Sequence, residues 1–188
     1  MKIGFALCGS FCTFETAIKQ LTELRDAGHE IVPIMSFNAY GIDTRFGKAS
    51  TFVKRIEEIS GRKIIRTIED AEPLGPREIL DLLVICPCTG NTLAKLASGI
   101  TDTPVTMAAK AHLRSDRPLV IALATNDAMS SNLSNINAMQ KRKCVYFVPL
   151  VQDDPEKKPH SLVCSFDLLG KSLEAALKNE QLRPLFLY

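Results

Sequence analysis

Short apolar runs recur along the chain, separated by longer stretches in which apolar residues follow helical spacing. The runs predict strands at residues 2–8, 30–35, 82–86, 119–124 and 145–150, with a shorter strand at Ile64 and Ile65. The helical spacing predicts helices at residues 14–27, 47–59, 104–113 and 166–178, and an Ala- and Leu-rich helix after Gly90. Asp102-Thr103-Pro104 is expected to form an N-cap followed by proline in the first turn of the next helix.

The alternation of strands and helices indicates the fold class. Strand–helix–strand units joined in this way build an open parallel sheet with helices on both faces. The sequence contains no internal repeat and no linker-like stretch. We therefore predict one domain over residues 1–188, a three-layer α/β/α fold of the Rossmann or flavodoxin-like kind. Its doubly wound parallel sheet should have about six strands.

Small and hydroxylic residues follow several predicted strands, at the sheet edge where ligands bind in such folds. In residues 82–104, an apolar run passes through Thr89 and Gly90 into a helix. The free N–H groups and positive dipole end of that helix suit a phosphate or carboxylate. Gly9 and Ser36 follow the first two strands, so three turns can converge on one anion only if the sheet is doubly wound. The first turn lacks G-x-G-x-x-G, which disfavours a dinucleotide site.

Composition limits the classes of function. The chain has 188 residues, of which 46% are hydrophobic, enough for a sizeable core. The 23 basic and 21 acidic residues leave a formal net charge of +2, too balanced to indicate binding to nucleic acid or an anionic membrane. No apolar run approaches the roughly 18 residues of a membrane helix. These features predict a cytoplasmic protein.

The six cysteines lack the paired spacing of a structural zinc site, and we predict no metal. In a cytoplasmic chain they are expected to be reduced. Cys8 and Cys86 each end a predicted strand, so the Cys8–Cys12 and Cys86–Cys88 pairs could approach in space. A metal or redox role is therefore the alternative to plain apolar packing of the thiols.

One stretch carries a family resemblance. The sequence from Pro87 to Asp102, Pro-Cys-Thr-Gly-Asn-Thr-Leu-Ala-Lys-Leu-Ala-Ser-Gly-Ile-Thr-Asp, resembles the signature P-x-S-A-N-T-x-A-K-x-A-x-G-x-x-D. That signature is typical of the flavin-containing cysteine decarboxylase family, which includes phosphopantothenoylcysteine decarboxylase, lantibiotic decarboxylases and flavin prenyltransferases. The resemblance implies FMN as the cofactor, with the protein supplying orientation and electrostatics.

The resemblance also implies which residues bind ligands. The implied cofactor-binding residues are Gly9, Ser10, Phe11, Ser36, Asn38, Pro87, Cys88, Thr89, Gly90, Asn91 and Thr92. The implied substrate-binding residues are Asn91, Asn126 and Met129, the last two in a segment where relatives carry P-A-M-N-x-x-M. A plain turn at Gly9, a solvated Ser36 and core packing of Met129 are the alternative interpretations.

The catalytic residue is unknown, because the expected histidine is missing. Decarboxylating relatives carry a Pro-His stretch shortly before the signature strand, and here that stretch aligns with Pro73-Leu74-Gly75-Pro76. His29, His112 and His160 lie elsewhere and are predicted to be surface residues. Decarboxylation by the family mechanism is therefore in doubt.

Within the family, the whole chain is most similar to members that form one subunit of a heteromeric oxidoreductase in the mother-cell cytoplasm of sporulating bacteria. That similarity implies a dehydrogenase-like partner subunit, on which any nicotinamide nucleotide would bind, and a small-molecule precursor of a pyridine dicarboxylate. Lys95, Arg114 or Arg117 could bind its carboxylates. Relatives form trimers or dodecamers, so a homo-oligomer is expected. The alternatives are a self-sufficient FMN-dependent decarboxylase or prenyltransferase, and a non-catalytic relative that stabilises its partner.

Overall fold

A computed structural model describes residues 1–75, 77 and 79–187 of the chain. Within these residues one sheet contains seven strands: β1 Lys2–Leu7, β2 Glu30–Met35, β3 Leu82–Cys88, β4 Leu119–Thr125, β5 Val145–Phe147, β6 Leu150–Val151 and β7 Leu162–Cys164. The helices are α1 Phe14–Asp26, α2 Phe37–Gly41, α3 Ala49–Ser60, α4 Ile68–Ala71, α5 Gly90–Ser98, α6 Pro104–Leu113, α7 Leu133–Gln140 and α8 Leu169–Leu177. Short 3₁₀ turns at Phe11–Thr13 and Phe166–Leu168 precede α1 and α8.

The sheet is doubly wound, which confirms the predicted fold class. The strand order is β2-β1-β3-β4, with β5 beside the first half of β4, and all these pairs are parallel. The chain winds in one direction from β1 to β2 and in the other from β3 to β4. The switch point therefore lies between β1 and β3, where an open α/β sheet forms a ligand crevice at the carboxyl ends of its strands.

Burial explains why the strands are continuous apolar runs. Every residue of β3 is buried, because a parallel sheet is covered by helices on both faces. The core includes Phe5, Phe14 and Phe147, which are fully buried. No helix of the described chain is both long and apolar enough to span a bilayer.

The far end of the sheet differs from the prediction, since it is antiparallel. The expected strand 145–150 is divided into β5 and β6. Pro149 lies at the break, where the chain turns away from β4, and it has no N–H to donate to the sheet. β7 pairs antiparallel with the last two residues of β4, and β6 pairs with β7. The expected strand at Ile64 and Ile65 contributes only one bridge, between Ile34 and Ile65.

Local details differ from the prediction at two places, the end of β3 and residues 133–140. β3 does not end at Cys86 but continues through Pro87 to Cys88, with a register shift after Ile85. At the expected N-cap before Pro104, Thr103 caps α6 through a capping box with Thr106. Helix α7 was not predicted, because only two of its eight residues, Ile136 and Met139, are buried. Of the expected break at 73–76, the last residue, 76, lies outside the described chain.

Candidate functional site

Two adjoining clefts open at the carboxyl ends of the strands. The first, of about 310 Å³, lies over β1 and β2 and is called the β1–β2 cleft; among the predicted residues it is lined by Gly9, Ser36, Asn38, Thr89, Asn91 and Thr92. The second, of about 510 Å³, is called the β1–β4 cleft, and its predicted lining residues are Gly9, Ser10, Thr89, Gly90, Asn91 and Asn126. The structure thus brings the turns after β1, β2, β3 and β4 to one place.

The N-terminus of α5 separates the two clefts. Its N-cap residue, Thr89, accepts a hydrogen bond from the Thr92 N–H through Oγ1 at 3.2 Å. The Thr92 hydroxyl in turn donates to the Cys8 Sγ, 3.3 Å away. This cap leaves the first-turn N–H groups of Gly90 and Asn91 without partners inside the helix. The arrangement supplies N–H donors and a positive helix end to both clefts.

Ser36 performs a similar structural task after β2. Its side chain accepts a hydrogen bond from the Ala39 N–H at 3.3 Å and so caps the short helix α2. Only 8% of Ser36 is exposed, whereas Asn38 is exposed beside it. Ser36 is therefore not the solvated loop residue of the alternative interpretation.

Four predicted site residues lie beside the clefts rather than on their walls. Phe11 packs against Phe14, with ring centroids 5.2 Å apart. Pro87 and Cys88 are buried within β3. Met129 is half-buried against the core, and its N–H donates to the His160 carbonyl at 3.0 Å.

Of the three predicted cations, only Lys95 reaches a cleft. Its Nζ lies 2.9 Å from both carboxylate oxygens of Asp102, on the wall of the β1–β2 cleft. Arg117 lies just before β4, at the opposite end of the strands, where it pairs with Asp81 at 3.5 Å. Arg114 follows α6 and lines neither cleft.

Sequence reasoning missed a charged pair at the β1–β4 cleft. Lys158 and Asp153, from the loop between β6 and β7, both line it and form an ion pair at 2.7 Å. Burial opposes ionisation of Asp153, but hydrogen bonds from Lys158 and Ser161 outweigh it and lower the pKa of the carboxyl group. The loop lacks periodicity, so no signal in its sequence placed this pair at the cleft.

A second missed feature is a polar cluster packed on Gly90. The Asp127 carboxylate accepts hydrogen bonds from the Thr125 hydroxyl at 2.6 Å and from the Asn132 side-chain amide at 3.0 Å. A Cβ atom at Gly90 would lie 2.6 Å from both donors. The family signature carries alanine at the position of Gly90, so the glycine is matched to the cluster.

The cysteines show features of apolar packing. Cys8, Cys86, Cys88 and Cys164 are buried and form no disulfide. Burial raises the pKa of the Cys8 thiol to about 11, so this thiol stays protonated at neutral pH. The described residues hold no group of three potential ligands placed to bind a metal ion. Cys12 differs, since it is exposed on the wall of the β1–β4 cleft.

The prediction that all three histidines lie on the surface was wrong for His112. This residue is fully buried in α6, with Nε2 2.9 Å from the Pro118 carbonyl oxygen. Burial lowers the pKa of its imidazole, against the opposing effect of that hydrogen bond. His160 is exposed and His29 half-buried, and no described histidine lines either cleft.

Comparisons with known proteins agree with this geometry. The sequence profile of the Flavoprotein family matches residues 1–174. The B subunit of dipicolinate synthase from Bacillus subtilis (strain 168) is 46% identical over 184 residues, which cover 98% of this chain and 92% of that protein. The crystal structure of the dipicolinate synthase B subunit from Bacillus halodurans C superposes with a TM-score of 0.91 at 38% identity, covering 100% of this chain and 96% of that one.

A more distant relative shares only part of its length. The bifunctional coenzyme A biosynthesis protein CoaBC of Thermococcus kodakarensis is 33% identical over 164 residues, 83% of this chain but 38% of that protein. The FMN-dependent cysteine decarboxylase SpaF shares the fold, with a TM-score of 0.72 at 24% identity over 95% of this chain and 96% of that one. The chain therefore belongs to the Flavoprotein family, and within it is similar to the B subunit of dipicolinate synthase.

Proposed function

We propose that this chain is the FMN-binding subunit of a dipicolinate synthase. In this proposal it works with the dehydrogenase-like A subunit of that enzyme to oxidise a dihydrodipicolinate precursor to dipicolinate during sporulation, in the mother-cell cytoplasm. The observation that carries the proposal is the convergence of Gly9, Ser36 and Asn91 on one cleft at the N-terminus of α5. The similarity to the dipicolinate synthase B subunit of Bacillus subtilis supports the reaction.

The donors at the two clefts fit a phosphorylated flavin. The N–H groups of Gly90 and Asn91 form the positive end of α5. Together with the side chain of Asn38, they would hold the phosphate. FMN, when bound, would supply the redox chemistry. Gly9 and Ser10 would line the flavin in the β1–β4 cleft.

The same clefts offer polar groups for the substrate. Asn91 and Asn126 present amides that can orient a ring carboxylate, and the Lys158 ammonium adds a cation at the β1–β4 cleft. Met129 is proposed to contact substrate as well, from its position beside the wall. A nicotinamide nucleotide, where one is used, would bind to the dehydrogenase-like subunit, and the chain itself would form a homo-oligomer, a trimer or a dodecamer.

Two other functions compete with this proposal. The family signature at residues 87–102 favours a self-sufficient FMN-dependent decarboxylase, but no described histidine stands at the clefts as its acid or base. The third possibility is a fold relative that has lost catalysis and stabilises the dehydrogenase-like subunit. Turnover of a cysteine-derived substrate by this chain alone would favour the decarboxylase over the synthase.

Flavin binding is tested first, by adding FMN to the purified protein. We expect flavin absorbance to remain with the protein after removal of free FMN. Asn91→Ala should weaken FMN binding about tenfold, because it removes a side-chain donor at the cleft. Asn137→Ala is the matched control, since Asn137 is exposed on α7 and lines neither cleft. A wild-type protein that retains no flavin would overturn the cofactor assignment.

Cys12 provides an independent readout of occupancy. The other five cysteines are buried, so a thiol reagent should modify Cys12 first in the folded protein. FMN bound in the β1–β4 cleft should slow this modification, and less so in Asn91→Ala. An unchanged rate in the presence of saturating FMN would place the flavin elsewhere.

The reaction is tested with both subunits. Dipicolinate formation should require the dehydrogenase-like subunit together with this chain, and Asn91→Ala should reduce it. If the dehydrogenase-like subunit reaches the full rate on its own, this chain has no catalytic role, and only the stabilising function survives.

A further inference from the structure

A third cavity lies at the C-terminal end of α5, whereas the two clefts adjoin its N-terminus. It has a volume of about 310 Å³ and is formed by the C-terminal end of α5, the C-terminal half of α6 and the turn after α7; we call it the α5–α6 cavity. It shares no lining residue with the β1–β2 or β1–β4 cleft. A ligand bound in this cavity would therefore not occupy the proposed flavin site.

The cavity combines an apolar wall with positive charge. Leu96, Ile100 and Leu113 provide the apolar surface, and Ile100 is 46% exposed at its mouth. Lys110 and Arg114 stand one helical turn apart, so they project from the same face of α6. Among the described residues, no aspartate or glutamate lines the cavity.

The third cation is held in place. The Arg142 Nη1 donates to the Leu96 carbonyl oxygen at 3.0 Å, which neutralises part of the negative end of α5. A guanidinium group has five N–H donors, so Arg142 keeps others for a ligand. The hydrogen bond fixes the head group and reduces the ordering cost of binding an anion.

Nearby cations outside the cavity form ion pairs with carboxylates. Lys95 pairs with Asp102, Arg117 with Asp81 and Lys143 with Asp116. Lys110 and Arg114, in contrast, form no ion pair with a described carboxylate. The favourable field at a helix C-terminus accounts for cations on α6, but not for their position around an apolar cavity.

We infer that the α5–α6 cavity is a second ligand site, for a small organic acid with an apolar body. The carboxylate would pair with Lys110, Arg114 and Arg142, and the body would cover Leu96, Ile100 and Leu113. Ligand pockets of about this volume pair mostly apolar walls with a few convergent polar groups. The inference does not depend on the proposed flavin chemistry, because the two regions are separate.

The test uses 1-anilinonaphthalene-8-sulfonate, an apolar anion that fluoresces when shielded from water. FMN is present throughout, and benzoate serves as the competing carboxylate. We expect one saturable site per chain, displaced by benzoate. The double variant Lys110→Ala, Arg114→Ala should weaken binding about tenfold, since it removes two of three charged contacts. Lys141→Ala removes one positive charge next to Arg142 but does not line the α5–α6 cavity, and should bind as the wild type does.

A second variant guards against a folding defect. Ile100→Glu places a carboxylate at the mouth of the cavity and should also weaken binding, with an unfolding midpoint close to that of the wild type. The inference is overturned if the wild type shows no saturable binding, or if the double variant binds equally well. It also fails if the double variant loses only its association with another protein chain, because the cavity would then belong to a protein interface.

Discussion

His112 is a buried histidine whose surroundings favour the neutral imidazole. Its Nε2 lies 2.9 Å from the Pro118 carbonyl oxygen, which fixes the tautomer, and its Nδ1 has no hydrogen-bond partner among the described residues. Burial, aided by the nearby Arg117 charge, lowers the pKa of the imidazole below its usual value, although the hydrogen bond to Pro118 opposes this. Below about pH 6.5 the unfolded chain therefore binds a proton that the folded chain resists.

The lowered pKa of His112 predicts how the stability of the fold depends on pH. The free energy of unfolding should be greatest above about pH 6.5 and fall as the pH drops from there toward the lowered pKa of folded His112. Denaturant unfolding at a series of pH values measures the slope. His112→Gln should flatten the slope in this range, whereas His160→Gln, which changes an exposed residue, should leave it unchanged. An equal slope in the wild type and His112→Gln would contradict the assignment.

At the scale of elements, the N-terminus of α5 depends on the absence of a side chain at Gly90. A Cβ there would meet the Thr125 hydroxyl and the Asn132 amide at 2.6 Å, and the Asp127 carboxylate at 2.8 Å. The Thr125 hydroxyl and the Asn132 amide both donate to the Asp127 carboxylate, so the three groups cannot move apart without losing contacts. Gly90→Ala should lower the free energy of unfolding by about 1–3 kcal/mol.

Gly170 in α8 is the matched control for that variant. No atom lies within 4 Å of a Cβ built on it, so Gly170→Ala should raise the free energy of unfolding by up to about 1 kcal/mol, as alanine does in open helical positions. Both values come from denaturant titrations at one pH. If Gly90→Ala proves as stable as Gly170→Ala, the cluster at Thr125, Asp127 and Asn132 does not constrain α5.

Elements with strong local patterns were predictable, and those held by distant contacts were not. β3 and α5 follow from an apolar run and a helical spacing, and the family signature added the roles expected of Thr89 and Asn91. β7 has only three residues and exists because it pairs with the end of β4. Asp153 and Lys158 reach the β1–β4 cleft for the same reason, since β6 and β7 hold their loop.

At the scale of the whole molecule, one segment leaves large apolar side chains in water. Phe37, Ile42 and Phe46 are each close to half exposed, within ten residues that follow β2. Phe37 also lines the β1–β2 cleft, so a surface covering this segment would adjoin the proposed cofactor. Exposed apolar clusters next to a functional site are typical of subunit interfaces.

We therefore expect copies of the chain to associate through this segment. Analytical ultracentrifugation of the wild type should give a trimer or a dodecamer, and Phe46→Glu should give a smaller species, because it places a charge in an apolar interface. Leu177→Glu introduces the same negative charge at an exposed position on α8 and should keep the wild-type mass. A monomeric wild type, or a Phe46→Glu protein of unchanged mass, would show that this segment is not an interface. Weaker FMN retention by the smaller species would further indicate that a neighbouring copy completes the flavin site.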